Sequence, residues 1–380
     1  MRIPRGRAPA ADGVLLVDKP QGLTSHDVVA RVRRMAATRK VGHAGTLDPM
    51  ATGLLVLGVG RATRLLTYVV GADKTYVATV RLGVATTTDD AEGQAADAPG
   101  ASFDVVQERL TEALGRLTGV ISQVPSAVSA IKVDGKRAYA RVRDGEEVEL
   151  AAREVTVHEL DVVGEPRAAV VPPGEPGEGT SVVDVDVRVR CSSGTYVRAI
   201  ARDLGAELGT GGHLTALRRT AVGPFDVDEG ATLQAMADAI AEEIEEAPGE
   251  ESGDGAGDGA GDRSGPGERL AARPTPEEPG AGVLTTLPAG TLARRLFRVR
   301  ELTEAETTAV RYGQRIGPSG GKTDDSAESA VASTGGVATD ADAEAPGASV
   351  VAAFAPAGHL VALLADERGR ARPVLVLDPA

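Results

Sequence analysis

The chain has 380 residues, room for two domains with a sizeable core. Apolar residues make up 42% and aromatics only 2%, with no Trp, so a core must be built from Val, Leu, Ile and Ala; the single cysteine, Cys191, excludes an internal disulfide and a cysteine zinc site, which fits a reducing cytoplasm. The formal net charge of −14 argues against a nucleic-acid partner until it is located: residues 240–282 hold 12 acids and 3 bases, residues 319–348 hold 6 and 1, and residues 1–81 hold 13 bases and 5 acids.

A basic front with acidic stretches elsewhere is compatible with a polyanionic partner, and equally with an ordinary solvated surface. The opening MRIPRGRAPAADG is basic with no apolar run behind it, so it does not read as a secretory signal. No stretch approaches the roughly 18 to 20 continuous apolar residues of a membrane helix, so the expectation is a soluble, cytoplasmic protein.

In chain order, VLLVD (14–18) reads as a strand ended by the turn residues Lys19, Pro20 and Gly22. TSHDVVARVRRMAA then reads as a helix capped by Thr24 or Ser25, with Val28, Val29, Val32 and Met35 on one face and Arg31, Arg33 and Arg34 off it. GHAGTLDPMATG (42–53) is a glycine-rich loop around one carboxylate, Asp48, followed by the buried-strand run GLLVLGV (53–59). KTYVATVRLG (74–83) reads as another strand, and residues 104–118 as a helix with Val105, Leu110, Leu114 and Leu117 at its apolar positions.

VVDVDVRVRC (182–191) alternates strictly, placing Val183, Val185, Val187, Val189 and Cys191 on one side and charges on the other. TYVRAIARDLGAEL (195–208) is the next helix. These elements predict an α/β (α+β) domain over 1–245, built around one sheet. Residues 246–283, rich in Gly, Asp, Glu, Ala and Pro, form an acidic linker too polar to order itself. Strand-like runs return near 284–300, at HLVALLAD and at ARPVLVLD. They predict a small β-rich domain over 284–380, interrupted by an acidic insert at 319–348.

Near 317, GPSGGKTDD is not a phosphate loop, because Ile316 stands where the motif needs its first glycine. The histidines His26, His43, His158, His213 and His359 show no metal-ligand spacing, and no Gly-x-Ser-x-Gly elbow supports a serine triad. Asp48 before Pro49 is by default a turn, Lys19 a turn lysine and Arg198 a helix-surface charge. Tyr76 and Tyr196 are by default strand and helix-start residues covering the core.

Together, however, VDKPQGLTSHDVV, GHAGTLDPMATGLL, KTYVATVRLG, QVPSAVSAIKVDGKRAY and CSSGTYVRAIARDLG, in that order, closely resemble the TruB family of tRNA pseudouridine-55 synthases. The resemblance runs from about residue 13 to 245. Residues 284–380 more weakly resemble the PUA-like RNA-binding domain attached to such enzymes. The Ala-, Gly-, Arg- and Val-rich composition points to a high-GC actinobacterial source.

The resemblance implies a pseudouridine-synthase catalytic domain with a mixed, largely antiparallel sheet. It implies isomerisation of the T-loop uridine of tRNA after base flipping, with no cofactor and no metal. It makes Asp48 the catalytic carboxylate, with small neighbours that let RNA approach. His43 matches a residue that helps hold the extruded conformation, Tyr76 the tyrosine packing on the flipped uracil, and Arg198 the arginine paired with the carboxylate. Tyr196, Lys19, Lys132 and Leu217 match further substrate-binding positions. The implied partner is the tRNA T-arm, with no membrane, no obligate protein partner, and a monomer. Two other readings stay open: a tRNA-folding factor whose chemistry is secondary, and a synthase acting on another RNA.

Overall fold

The computed structural model describes residues 7–126, 132–133, 136–137, 151–246, 284–319 and 350–380, with only the main chain at 132–133, 136–137 and 245–246. The larger unit runs β1 (Gly13–Lys19), α1 (Ser25–Met35), β2 (Val41–Ala44), β3 (Thr52–Val59), α2 (Leu66–Gly71), β4 (Lys74–Leu82), β5 (Ala85–Thr86), β6 (Ala95–Asp97), α3 (Phe103–Arg116) and β7 (Gly119–Gln123). It continues with β8 (Lys132–Val133), β9 (Lys136–Arg137), β10 (Arg153–Val162), β11 (Arg167–Val170), β12 (Ser181–Cys191), α4 (Val197–Leu208), β13 (Gly212–Val222), β14 (Phe225–Asp226), β15 (Ala231–Thr232) and α5 (Leu233–Glu246). The smaller unit runs β16 (Leu287–Pro288), α6 (Ala289–Leu296), β17 (Arg298–Glu301), α7 (Glu304–Arg311), β18 (Val350–Phe354), β19 (Leu360–Glu367) and β20 (Arg370–Val376).

The alternation of β12 does what its period requires. Val183, Val185, Val187, Val189 and Cys191 are all at most 1% exposed and pack beneath α3 and α4. The sheet order is β15-β1-β3-β13-β4-β12-β10-β7, mixed and largely antiparallel; β1–β15 and β3–β13 are its parallel pairs along that path. On α1, the expected Val28, Val29, Val32 and Met35 pack with Leu233, Met236 and Ile240 of α5 against β1 and β3. Thr24 caps α1 in a reciprocal box with Asp27, which frees Ser25 for another task.

Three local expectations change. In α3 the buried position is Val106, not Val105, which is 41% exposed, because only Val106 shares a helical face with Leu110, Ala113 and Leu114. The first residues of the glycine-rich stretch are strand β2, hydrogen-bonded to β3, so the loop proper begins at Gly45. The run 284–300 holds the short strands β16 and β17 as expected, but with the helix α6 between them, and α7 follows. A Thr303–Glu306 capping box starts α7. The acidic linker 246–283 and the insert 319–348 lie, beyond Glu246 and Ser319, outside the described residues.

The small sheet, β17-β18-β19-β20, shares a core with the large one: Leu292, Phe354, Leu363 and Leu375 pack with Val14, Leu16, Leu54 and Val56. Strand β16 pairs with β1, and Arg61 and Arg64 donate to the carbonyls of Leu377 (3.2 Å) and Val376 (2.6 Å). Arg295 grips Glu229 through both carboxylate oxygens, at 2.5 and 2.8 Å, and donates to the Pro224 carbonyl.

Glu229 also accepts from the Asp226 amide, and these bonds, Arg295 first, pull its pKa from 4.5 down to about 2. The side chain is 38% exposed, so solvent screening holds its contribution to about 1 kcal/mol. The folded pKa lies below the unfolded one, so that contribution is full above pH 4.5 and fades as pH falls towards 2. Urea unfolding of Glu229→Gln should therefore show a stability deficit of about 1 kcal/mol at pH 7 that shrinks at pH 3.

Candidate active site

The segment Gly45 to Ala51 has no ladder of its own, so its backbone groups need partners from elsewhere. Gly45 turns the chain out of β2 at φ +80. The Ser25 hydroxyl accepts from the Leu47 amide (2.9 Å) and donates to the Leu47 carbonyl (3.1 Å). Lys19 is 0% exposed; its ammonium donates to the carbonyls of Leu23 (2.7 Å), Pro20 (3.0 Å) and Pro49 (3.4 Å). Burial holds Lys19 below the usual lysine range, and Asp48 opposes that shift.

Arg219 completes the frame. It is 1% exposed and donates to Leu54 (2.7 Å), Gly45 (3.1 Å) and Thr46 (3.5 Å), tying both ends of the loop to β13. Gly53 lies opposite it with φ +100, where an added Cβ would stand 2.2 Å from the Arg219 carbonyl, so a larger residue is excluded.

Asp48 projects from this frame with its side chain 38% exposed. Its Oδ2 lies 3.0 Å from Nε of Arg198, a side chain only 5% exposed on the first turn of α4. Nη1 of Arg198 lies 3.4 Å from Oδ2 of Asp90 and donates to the Thr88 carbonyl at 2.9 Å. One guanidinium thus serves a partly exposed carboxylate and a buried one.

Tyr76 stands opposite Arg219 in the β4–β13 register. Burial pushes the Tyr76 phenol above its usual range, so it keeps its proton at neutral pH. Beside it, burial lowers Lys74 to about 8 and raises Cys191 to about 11. Leu47, Met50, Tyr76 and Leu217 belong to one packed cluster. The arrangement can hold a flat ring against an apolar wall next to a charged carboxylate.

Of the residues singled out in the sequence, Asp48, Tyr76, Arg198 and Leu217 come together here. His43 precedes the loop on β2, its ring edge-on to His26 at 5.7 Å; burial and His26 hold it below the usual imidazole range. Tyr196 caps α4, and its main chain is held at both N and O by the buried side chain of Gln123 (2.8 and 3.1 Å). Lys19 faces inward to carbonyls, so it holds the loop where the sequence reading expected a substrate contact. The Lys132 side chain lies outside the described residues.

Asp90, Arg219 and Ser25 were missed. Arg219 had a signal: two residues after Leu217 in a strand, it falls on the same inward face. Asp90 had only a Thr- and Asp-rich turn, TTTDDAEG, between strands. Among the described residues, no group of three or more His, Cys, Asp or Glu is placed to hold a metal ion.

The chain matches the TruB family pseudouridylate synthase N-terminal domain over residues 33–197 and the tRNA pseudouridylate synthase B C-terminal domain over 198–251. It matches the tRNA pseudouridine synthase II C-terminal domain over 325–378. It is 49% identical to the tRNA pseudouridine synthase B of Paenarthrobacter aurescens, over 97% of this chain and 95% of that one. It is 46% identical to the tRNA pseudouridine synthase B of Thermobifida fusca, over 96% and 98%. In structure it is similar to a chain of a Cbf5-Nop10-Gar1 complex, with a TM-score of 0.60 and 23% identity, covering 97% of this chain and 85% of that one; this likeness shows the fold alone.

Arg219→Gln leaves buried carbonyls without donors and should lower stability by about 3 kcal/mol in urea unfolding. Ser25→Ala removes a smaller clamp; a loss of about 1 to 2 kcal/mol is expected, with kcat falling more than KM changes.

Proposed function

The chain belongs to the TruB family of pseudouridylate synthases, and on that premise we infer how its site acts on RNA. It is an isomerase that converts uridine 55 of tRNA to pseudouridine. In that reaction the N1–C1′ glycosidic bond breaks, the base turns, C5 bonds to C1′, C5 loses its proton and N1 takes one up. The target base is covered in a folded loop, so it must first leave its stack.

The observation that carries the residue assignment is the Asp48–Arg198 ion pair, at 3.0 Å, next to the buried ring of Tyr76. Asp48 is the catalytic carboxylate, engaging the ribose or the detached base. Tyr76 packs on the extruded uracil, a contact worth about 1 to 3 kcal/mol per base, and Leu217 forms the apolar wall. Arg198 supplies the fixed positive charge that orients Asp48. His43, Tyr196 and Lys132 keep the substrate-binding roles that the family resemblance gives them, and Lys19 holds the loop through the carbonyls of Leu23 and Pro49.

The partner in this reading is the T-arm of tRNA, bound by a cytoplasmic monomer with no obligate protein partner. The excess of 13 bases over 5 acids in residues 1–81 supports a polyanion at that end. Among the described residues, no helix is long and apolar enough to cross a membrane.

Incubation of an unmodified tRNA transcript with the protein should yield one new pseudouridine, in the T-loop, by site mapping. Asp48→Asn should yield none while binding the transcript within a few-fold of wild-type affinity. Full activity in Asp48→Asn, or modification only elsewhere in the tRNA, would overturn the assignment.

A further inference from the structure

We propose that Arg202 and Asp89 form a second latch, one helical turn beyond Arg198, which positions the Asp90 loop and through it the Asp48–Arg198 pair. Arg202 is thereby a positioning residue for the reaction. The inference rests on the reading of Asp48 as the catalytic carboxylate.

Arg198 and Arg202 are four residues apart on α4, so their side chains leave the same face of the helix. Both point at the turn between β5 and β6. Arg198 takes the Thr88 carbonyl and the Asp90 carboxylate. Arg202 Nη1 lies 3.2 Å from Asp89 Oδ2, a side chain only 11% exposed. The Arg202 guanidinium is held at two further points, donating to the Val124 carbonyl at 2.8 Å and to Asp203 Oδ1 at 2.9 Å. Such a fixed, planar fork is a rigid post.

Asp89 is unusual in its own right. Its φ is +60, and the other non-glycine residues with positive φ among those described are Ala37 and Arg368. A left-handed, buried aspartate persists only where its surroundings hold it. Here it is held from two sides: its carbonyl accepts the Leu214 amide of β13 at 3.0 Å, and its carboxylate meets Arg202. The next residue is Asp90. Its Oδ1 is occupied within the turn by Thr88 Oγ1 (2.5 Å) and the Glu92 amide (3.1 Å), which leaves Oδ2 for Arg198.

The internal bonds of the turn set its shape, and Asp89 sets where that shape sits against α4. Releasing Asp89 lets Asp90 drift from Arg198, which then rebalances between two carboxylates and moves relative to Asp48. Displacements well under an ångström at a reacting group are enough to lower a rate severalfold or more.

The test is steady-state kinetics on a tRNA transcript with Arg202→Gln, Arg202→Lys, Asp89→Asn, Asp90→Asn, Asp48→Asn and the doubles Arg202→Gln/Asp89→Asn and Arg202→Gln/Asp90→Asn. Asp89→Asn keeps a residue that tolerates the left-handed conformation and removes only charge, so it tests the latch even if Arg202→Gln folds poorly. Arg202→Gln and Asp89→Asn should each lower kcat about tenfold, with KM and Tm nearly unchanged. Arg202→Lys should fall between wild type and Arg202→Gln. Arg202→Gln/Asp89→Asn should be no worse than the poorer single variant, and Arg202→Gln should cost nothing further once Asp90 is Asn.

Wild-type kcat in Arg202→Gln and Asp89→Asn, or losses that multiply in both doubles, would overturn the latch. If Asp48→Asn stays active, the catalytic reading fails and the latch falls with it. If Asp48→Asn is inactive while Asp89→Asn and Arg202→Gln are normal, the latch alone is wrong.

Discussion

Asp48 and Asp90 share one guanidinium, and the rest of the fold is arranged to let them. Arg198 is 5% exposed, so its charge cannot be satisfied by water alone; a buried cation without an anion would cost several kcal/mol. Asp90, equally buried, neutralises it from the interior. Asp48 therefore meets a charge already fixed in place, while its own outer edge stays open to a ligand. The three residues come from distant parts of the chain. They meet because β4 pairs with both β12 and β13, and because α4 packs Ile200, Leu204 and Leu208 into the core beside that sheet.

The segment bearing Asp48 is held by side chains doing the work that ladder hydrogen bonds do elsewhere. Ser25 satisfies both polar groups of Leu47, Lys19 reaches Pro49, and Arg219 spans Gly45 to Leu54. Arg219 and Lys19 are the two largest fully buried side chains in the described structure. Long cations in a core are costly unless every donor is used, and here their donors meet main-chain carbonyls. The result is a loop that leaves the Asp48 side chain partly exposed and still holds it in a fixed place.

The small unit is part of the same mechanical body. Its helix α6 and strands β18–β20 contribute Leu292, Phe354, Leu363 and Leu375 to a core shared with β1, β2 and β3, of which β2 and β3 flank the Asp48 loop. Arg295, Arg61 and Arg64 close the seam with charge-assisted bonds.

The sequence by itself determined what is local. Alternation decided that Val183 to Cys191 is a strand with one buried side, and the 3.6-residue spacing of Val28, Val29, Val32 and Met35 decided α1, because both periods are written in neighbouring residues. The motif order, read through family resemblance, brought out Asp48, Tyr76 and Arg198. The tertiary structure alone decided what lies across from them. Asp90 as the second carboxylate, Arg219 as the hidden frame, Ser25 as a clamp and Lys19 turned inward all depend on which strand pairs with which, and in what register. No local period encodes that choice. It follows from packing the apolar faces of the whole chain at once, which places buried charges beside partners that are remote in sequence.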